Sequence, residues 1–194
     1  MNTTRHCLRG LAAVLVLSLL SACSDSGMGE RVLVARPPGG DFVLQSAAGP
    51  LDTKALRGKV LLVYFGYVNC PDVCPASMAA GAAALNALSP AEREKTRMIM
   101  VSVDPERDTP AKLKEYAAFF HPAMVGAVGT AAETATIAKS FGVGYVRQPT
   151  RPDGGYAVDH SSQTFVVGPD GKLMDLLPLG VPTDQVVAAV RKLL

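Results

Sequence analysis

A strand-to-helix junction that carries two cysteines constrains this chain more than any other feature of its sequence. The run Val60–Gly66 is apolar and has the length of a buried strand, and an alanine-rich stretch after it predicts a helix over residues 73–88. Between them lies Cys70–Pro75, in which three residues separate Cys70 from Cys74. Because the amino end of a helix stabilises negative charge, we expect this junction to favour the thiolate forms of both cysteines.

The rest of the sequence alternates between strand and helix patterns. Helix starts are marked by capping residues, such as Thr109 before Pro110, and Thr183 is the expected cap of the last helix. This order favours an α/β sandwich with helices on both faces. The position of the cysteines makes it a thioredoxin-like sandwich with extra N-terminal strands and an inserted loop before the last hairpin. The predicted elements cover, strands first, residues 41–44, 60–66, 97–103, 124–128, 163–167 and 172–176, and then the helices 73–88, 110–120, 130–141 and 183–194.

The start of the chain has the pattern of an export signal. Arg5 and Arg9 precede an apolar segment, Leu11–Leu20, that is too short to span a membrane. The segment Leu20–Cys23 resembles a bacterial lipobox, which implies that Cys23 is lipidated after cleavage. An ordinary secretory signal with an incidental cysteine is the alternative, and either signal takes the protein out of the cytoplasm.

These features divide the chain into three parts. We predict a lipoprotein signal peptide at residues 1–22, a flexible tether at 23–40 and a thioredoxin-like domain at 41–194, lipid-anchored on the periplasmic side of the cell membrane. The signal holds two of the 19 basic residues and none of the 17 acidic ones, so the mature chain has 17 of each. A balanced charge argues against binding to nucleic acid through its phosphates.

The two cysteines of the junction are the thiols that remain for chemistry in the domain. If Cys70 lies at the start of the helix, Cys74 follows one turn later and both sulfur atoms face the same side. Such a pair can exchange disulfides, bind a soft metal or form a structural staple. A staple that closes so short a loop would add little stability, so the first two uses are favoured. Met78 continues the same stripe and is expected to pack in the core.

Histidine provides the candidate third ligand. His121 follows a predicted helix beside Pro122 and is expected to be a solvated helix end. His160 lies just before the predicted core strand 163–167. In a thioredoxin-like fold the loop that enters this strand faces the cysteine helix, so we expect His160 to lie opposite the two thiols.

Three segments of the sequence resemble signatures of the Sco/SenC family. They are Gly66–Pro75, which contains the cysteines, Val101–Pro110, and Val158–Ser161, which contains the histidine. Together they span nearly the whole predicted domain in the order typical of the family. The resemblance implies a thioredoxin-like, membrane-tethered copper protein that helps to assemble cytochrome c oxidase.

The resemblance further implies that copper is held by Cys70, Cys74 and His160. The chemistry of these side chains is consistent with that assignment, because thiolates select Cu(I) and an added imidazole keeps Cu(II) acceptable. Zinc usually takes four ligands, and the sequence offers no fourth candidate nearby. Three ligands leave an open edge, which suits transfer of the metal.

We therefore predict a metallochaperone, rather than an enzyme, that delivers copper to a respiratory cytochrome c oxidase. The implied partners are the oxidase subunit that bears the copper site and another periplasmic copper carrier or a thioredoxin-like reductase. The alternative is a periplasmic thiol-disulfide reductase in which Cys70 attacks and Cys74 resolves. A third hypothesis is a peroxide-reducing relative that uses Cys70. Gln163 stands where disulfide-exchange thioredoxins have a proline, which argues against a plain oxidoreductase.

Four aspartates accompany the motifs without a decided role. Asp72 and Asp159 could orient ligands or meet a basic partner, and Asp72 also matches the dipole of the helix start. Asp104 and Asp108 belong to the second signature, and capping and turn roles explain them equally well.

Overall fold

The computed structural model of the protein describes residues 37–194. The predicted signal peptide, Cys23 and most of the predicted tether lie outside the described residues. Within residues 37–194, no helix is both long enough and apolar enough to cross a membrane. The elements follow one another as β1 (Val43–Ser46), β2 (Gly49–Asp52), β3 (Val60–Gly66), α1 (Val73–Ala87), α2 (Pro90–Glu94), β4 (Thr96–Ser102), α3 (Pro110–Phe120), β5 (Met124–Ala127), α4 (Ala131–Phe141), β6 (Tyr145–Arg147), β7 (Val158–His160), β8 (Thr164–Val167), β9 (Leu173–Leu177) and α5 (Thr183–Arg191).

The central sheet has five strands in the order β5-β4-β3-β8-β9. Strand β3 pairs in parallel with β4 and antiparallel with β8, which forms a hairpin with β9. All seven residues of β3 are buried. Since neighbouring side chains of a strand point to opposite faces, both faces of the sheet are covered. The predicted thioredoxin-like α/β sandwich is confirmed.

Two hairpins are added to this sandwich. Strands β1 and β2 pair at the amino end of the described chain, and Gln45 in β1 bridges to Val128 beyond β5. The inserted segment before the last hairpin contains β6 and β7, with Tyr145 opposite His160. The extra N-terminal strands and the insertion were both predicted, and the second hairpin carries the candidate ligand His160.

Three phenylalanine side chains form an aromatic cluster in the core. The rings of Phe65 in β3, Phe141 in α4 and Phe165 in β8 have centroids 5.4 to 5.7 Å apart. All three side chains are buried. This packing joins helix α4 to strands β3 and β8.

Helices α1 and α5 begin at the predicted residues, Val73 and Thr183, but two expectations attached to those starts are wrong. Helix α1 begins at Val73 with Asp72 in the N-cap position, so Cys70 lies in the preceding loop and does not share a helix face with Cys74. The backbone N–H of Cys70 instead donates to the carbonyl of Tyr67 at 3.3 Å, which closes a turn before the helix. Helix α5 has Pro182 as its N-cap, and Thr183 is its first residue rather than its cap.

Candidate metal centre

Three donor side chains converge at one edge of the sheet. The sulfur atoms of Cys70 and Cys74 and a ring nitrogen of His160 lie within 4.8 Å of one another. Among the described residues, no other group of three histidine, cysteine or carboxylate donors has this spacing. The structure thus brings together the three predicted ligands, although their binding of a metal stays a prediction.

Each donor reaches the site from a different element. Strand β3 ends at Gly66 and leads into the loop that holds Cys70, while Cys74 lies in the first turn of α1. His160 is the last residue of β7 and is held by pairing with Tyr145. Because the loop, the helix and the hairpin are separate, only the folded domain assembles the site.

The imidazole of His160 has a defined tautomer. Its Nδ1 lies 2.9 Å from the backbone carbonyl of Ser161, and its Nε2 lies 3.3 Å from the sulfur of Cys74. A carbonyl oxygen can only accept, so Nδ1 carries the hydrogen. The lone pair of Nε2 therefore points toward the sulfur, as a metal ligand requires.

The thiol of Cys74 has an environment unlike the one predicted from the helix start. Its side chain is fully buried, and burial raises its pKa to about 12. The backbone N–H of Tyr67 and the hydroxyl of Tyr64 act in the opposite direction, but burial outweighs them. The expected preference for the thiolate is therefore wrong for Cys74, because loss of hydration exceeds the effect of the helix dipole.

Two tyrosines form the inner wall of the site. The rings of Tyr64 and Tyr67 lie edge-on to the His160 ring, with centroid distances of 6.1 and 5.8 Å. The Tyr64 hydroxyl lies 3.6 Å from the Cys74 sulfur, and burial raises the pKa of this tyrosine. The Tyr67 hydroxyl accepts a 3.2 Å hydrogen bond from the N–H of Val158 in β7. Tyr67 therefore ties the histidine hairpin to the cysteine loop.

The comparisons with known proteins agree with this geometry. The model of the SCO1/SenC family matches residues 33–194, most of the chain. The chain belongs to the SCO1/SenC family. The mitochondrial protein SCO1 of Saccharomyces cerevisiae is 38% identical over 141 residues, which cover 72% of this chain and 48% of the yeast protein. This SCO1/SenC chain spans about half the length of several mitochondrial relatives that it matches.

Solved structures match this SCO1/SenC protein over the whole domain. Apo Sco1 from Thermus thermophilus is 39% identical, with a TM-score of 0.74, and the match covers 83% of this chain and 94% of that one. ScoI from Bradyrhizobium japonicum with copper bound is 35% identical, also with a TM-score of 0.74, over 81% of this chain and 99% of that one. Almost all of that solved chain is therefore matched by the domain of this protein.

Asp108, in the second signature of this SCO1/SenC protein, forms hydrogen bonds that hold the loop before Cys70 in place. Asp108 accepts hydrogen bonds from the Ser102 hydroxyl at 2.7 Å and from the N–H of Val68 at 3.2 Å. Asp108 is only 4% exposed, and burial raises the pKa of its carboxyl. Asp108 lies in the expected turn, which its N–H closes with the Asp104 carbonyl at 3.0 Å, and its side chain also fixes the loop that leads to Cys70.

Asp104, in the same signature, binds two further side chains near the cysteine loop. It accepts hydrogen bonds from the Tyr156 hydroxyl at 2.7 Å and from Arg107. The guanidinium carbon of Arg107 lies 3.5 Å from the Tyr156 ring centroid and 5.6 Å from that of Tyr67. Sequence reasoning missed Ser102, Arg107 and Tyr156. A charged cluster directly after an apolar strand is the signal that could have drawn attention to Arg107.

The other predicted residues lie outside the donor group. His121 is buried, not solvated as expected, because its Nδ1 turns inward and accepts from the N–H of Ala123 at 3.0 Å. Asp72 is exposed and makes no capping hydrogen bond, and Asp159 accepts from the Gln148 amide. Met78 is fully buried in the core, as predicted.

Proposed function

We propose that this SCO1/SenC protein is a metallochaperone that delivers copper to the copper site of a respiratory cytochrome c oxidase. The observation that carries the proposal is the convergence of Cys70, Cys74 and His160 within 4.8 Å. The copper-bound structure of the Bradyrhizobium relative supports it further. The oxidase subunit that bears the copper site and a periplasmic copper carrier or thioredoxin-like reductase are the proposed partners.

The donor set fits copper as cargo. Two sulfur ligands favour Cu(I), and the imidazole allows Cu(II) as well. Cys74 is buried, whereas Cys70 and His160 are half-buried, so the site is open on one side only. An ion can enter and leave past those two residues, while the buried sulfur and the tyrosine wall exclude other ligands. Binding requires loss of the thiol protons, so copper affinity should fall in acid.

Replacement of His160 by alanine tests the site. The His160→Ala variant should lose most of its copper, measured by metal analysis and by absorption spectra after addition of Cu(I) or Cu(II). His121→Gln is the matched control, because His121 is the other histidine among the described residues and lies outside the donor group. The proposal is wrong if His160→Ala binds copper as well as the unmodified protein does.

A thiol-disulfide reductase is the second candidate, and the unequal exposure of the two thiols favours it. The half-exposed Cys70 can attack a client disulfide, which releases one client thiolate and forms a mixed disulfide. The sulfur of Cys74 then attacks Cys70, which releases the second client thiolate and leaves a Cys70–Cys74 disulfide. Two electrons pass to the client. Disulfide exchange that survives in His160→Ala while oxidase assembly also survives would favour this candidate.

We also propose that the domain is anchored by lipid at Cys23 on the periplasmic side of the cell membrane. The lipobox-like sequence Leu20–Cys23 supports this assignment. Replacement of Cys23 by alanine should move the protein from the membrane fraction to the soluble or uncleaved fraction. Mass spectrometry of the protein extracted from membranes should detect acyl chains, and an unmodified cysteine at that position would contradict the anchor.

A further inference from the structure

The domain has a second pole, opposite the metal centre. Strands β3 and β4 run in parallel, so their carboxyl ends face the metal centre and their amino ends face away from it. Helix α1 begins at the metal centre and runs to this second pole over 15 residues, a length of about 22 Å. Groups at the amino ends of these strands therefore lie far from the copper ligands.

Positive charge collects at this second pole. Lys59 precedes β3 and Lys95 precedes β4, and the two are held together because the N–H of Val60 donates to the Lys95 carbonyl at 2.8 Å. The ammonium group of Lys59 also donates to the carbonyl of Glu94 at 2.6 Å. Arg97 follows in β4, so two strands present three cations side by side.

Two helix ends add further basic groups. Arg93 donates to the carbonyls of Leu85 and Leu88 at the end of α1. Arg191 of α5 pairs with Glu92, which brings its neighbour Lys192 to the same pole. These carbonyls at the end of α1 offset part of the charge of Arg93, but no carboxylate neutralises it, so it still adds to the positive potential of this surface.

The charge at this pole is not balanced by carboxylates. We define the basic pole as those cations at this end of the domain that make no ion pair with a carboxylate within residues 37–194. Among the described acidic residues at this end of the domain, Asp52 and Glu94 make no ion pair, whereas Asp41, Asp170 and Glu92 each pair with a cation. The net charge of this end is therefore positive. Exposed groups near the metal centre include the acidic Asp72 and Asp159 instead. Lys54 lies close enough to Asp41 to help lower the pKa of that carboxyl, which places it at the same end. The members of the basic pole are Lys54, Lys59, Arg93, Lys95, Arg97 and Lys192.

The described chain also enters the domain beside the basic pole. Gly39 packs against Leu173, the first residue of β9. Leu173 pairs with Val167 of β8, which in turn pairs with Leu61 near the start of β3. Asp41 then pairs with Arg57, just before β3, at 2.6 Å. Thirteen residues separate Cys23 from Pro37, which limits their span to about 45 Å. A lipid on Cys23 would therefore keep the point of chain entry within about 45 Å of the bilayer.

We propose that the basic pole binds the anionic phospholipid headgroups of the membrane that holds the protein. Charge complementarity and the point of chain entry both favour a lipid surface over an acidic protein partner. In this orientation the metal centre faces away from the bilayer, toward the aqueous phase, about 22 Å beyond the bound surface. The inference rests on the proposed lipid anchor at Cys23 and does not depend on copper binding.

Vesicle co-sedimentation tests this surface without the acyl chain. The mature chain from Ser24 onward, which contains the whole described domain, is mixed with neutral phosphatidylcholine vesicles or with vesicles that contain phosphatidylglycerol. We expect binding to the anionic vesicles at low salt, loss of binding at high salt, and no binding to the neutral vesicles. Lys95→Gln with Lys192→Gln should weaken the binding on the order of tenfold or more.

The matched control removes two lysines that are not members of the basic pole. Lys112 and Lys114 are exposed in the first turns of α3, which starts near the metal-centre end of β4. Their double replacement by glutamine changes the net charge equally and should leave vesicle binding unchanged. Equal loss in both double variants, binding to neutral vesicles, or no binding to anionic vesicles would overturn the proposal. Copper content of each variant should stay normal, which separates this test from that of the proposed function.

Discussion

Replacement of Gly66 by alanine should damage the metal centre through the sulfur of Cys74. A Cβ added at Gly66 would lie 2.7 Å from that sulfur and 2.8 Å from Cε1 of Tyr64. Favourable contacts between such atoms are about 3.5 to 4.0 Å, so the new methyl group overlaps each neighbour by about 1 Å. Cys74 and Tyr64 are both fully buried, so neither can move into solvent.

The expected effect has two parts. Overpacking of this kind costs about 1–3 kcal/mol of unfolding free energy, which denaturant titration can measure. Metal sites tolerate changes in ligand distance of about 0.2 Å, and a sulfur displaced by several times that amount no longer matches the other two ligands. We expect copper affinity to fall about 10- to 100-fold, measured by competition with a chelator of known affinity.

Gly81→Ala is the matched control for this substitution. Gly81 lies in α1, and its added methyl group would overlap the sulfur of Met98, a flexible core side chain that is not part of the metal centre. This variant should also change stability, partly offset by about 1 kcal/mol of improved helix propensity, but its copper affinity should stay normal. Unchanged copper affinity and spectrum in Gly66→Ala would refute the reasoning.

Two further predictions concern the residues that support the site. Tyr67→Phe removes the acceptor of the Val158 N–H and should cost about 1–3 kcal/mol of unfolding free energy, with weakened but measurable copper binding, whereas normal binding would show that the hairpin is held by other contacts. Burial raises the pKa of Asp108, so its folded state holds a proton more tightly than its unfolded state, and its contribution to stability is present at low pH and lost as pH rises through the folded pKa. Asp108→Asn should therefore have a higher free energy of unfolding than the unmodified protein at neutral pH, and the difference should shrink in acid. Denaturant unfolding across pH measures this difference. A difference that stays constant with pH, or that grows in acid, would contradict the expected direction of the pKa shift.

The local sequence pattern was sufficient to predict the main strands and helices of the fold. The apolar run Val60–Gly66 predicts β3 with its observed bounds, and Gly142 ends α4 in the left-handed conformation expected of a helix stop. Strand and helix periodicities depend on neighbours in the chain, so the sequence itself expresses them. The three motifs also identified the candidate ligands Cys70, Cys74 and His160, because the sequence has few cysteines and histidines and their side chains are chemically distinctive.

Only the tertiary structure decided the environment of those ligands. The helix start at Val73 predicted an easily ionised Cys74, but packing around the sulfur reverses the direction of its pKa shift. Likewise, Asp104 and Asp108 have capping patterns in sequence, yet Tyr156 and Ser102 draw them into a buried network. Burial and hydrogen bonding across many residues depend on which distant segments meet. Chain order therefore determined which donors exist, and the packed fold determined their hydration, their tautomer and their distance from one another.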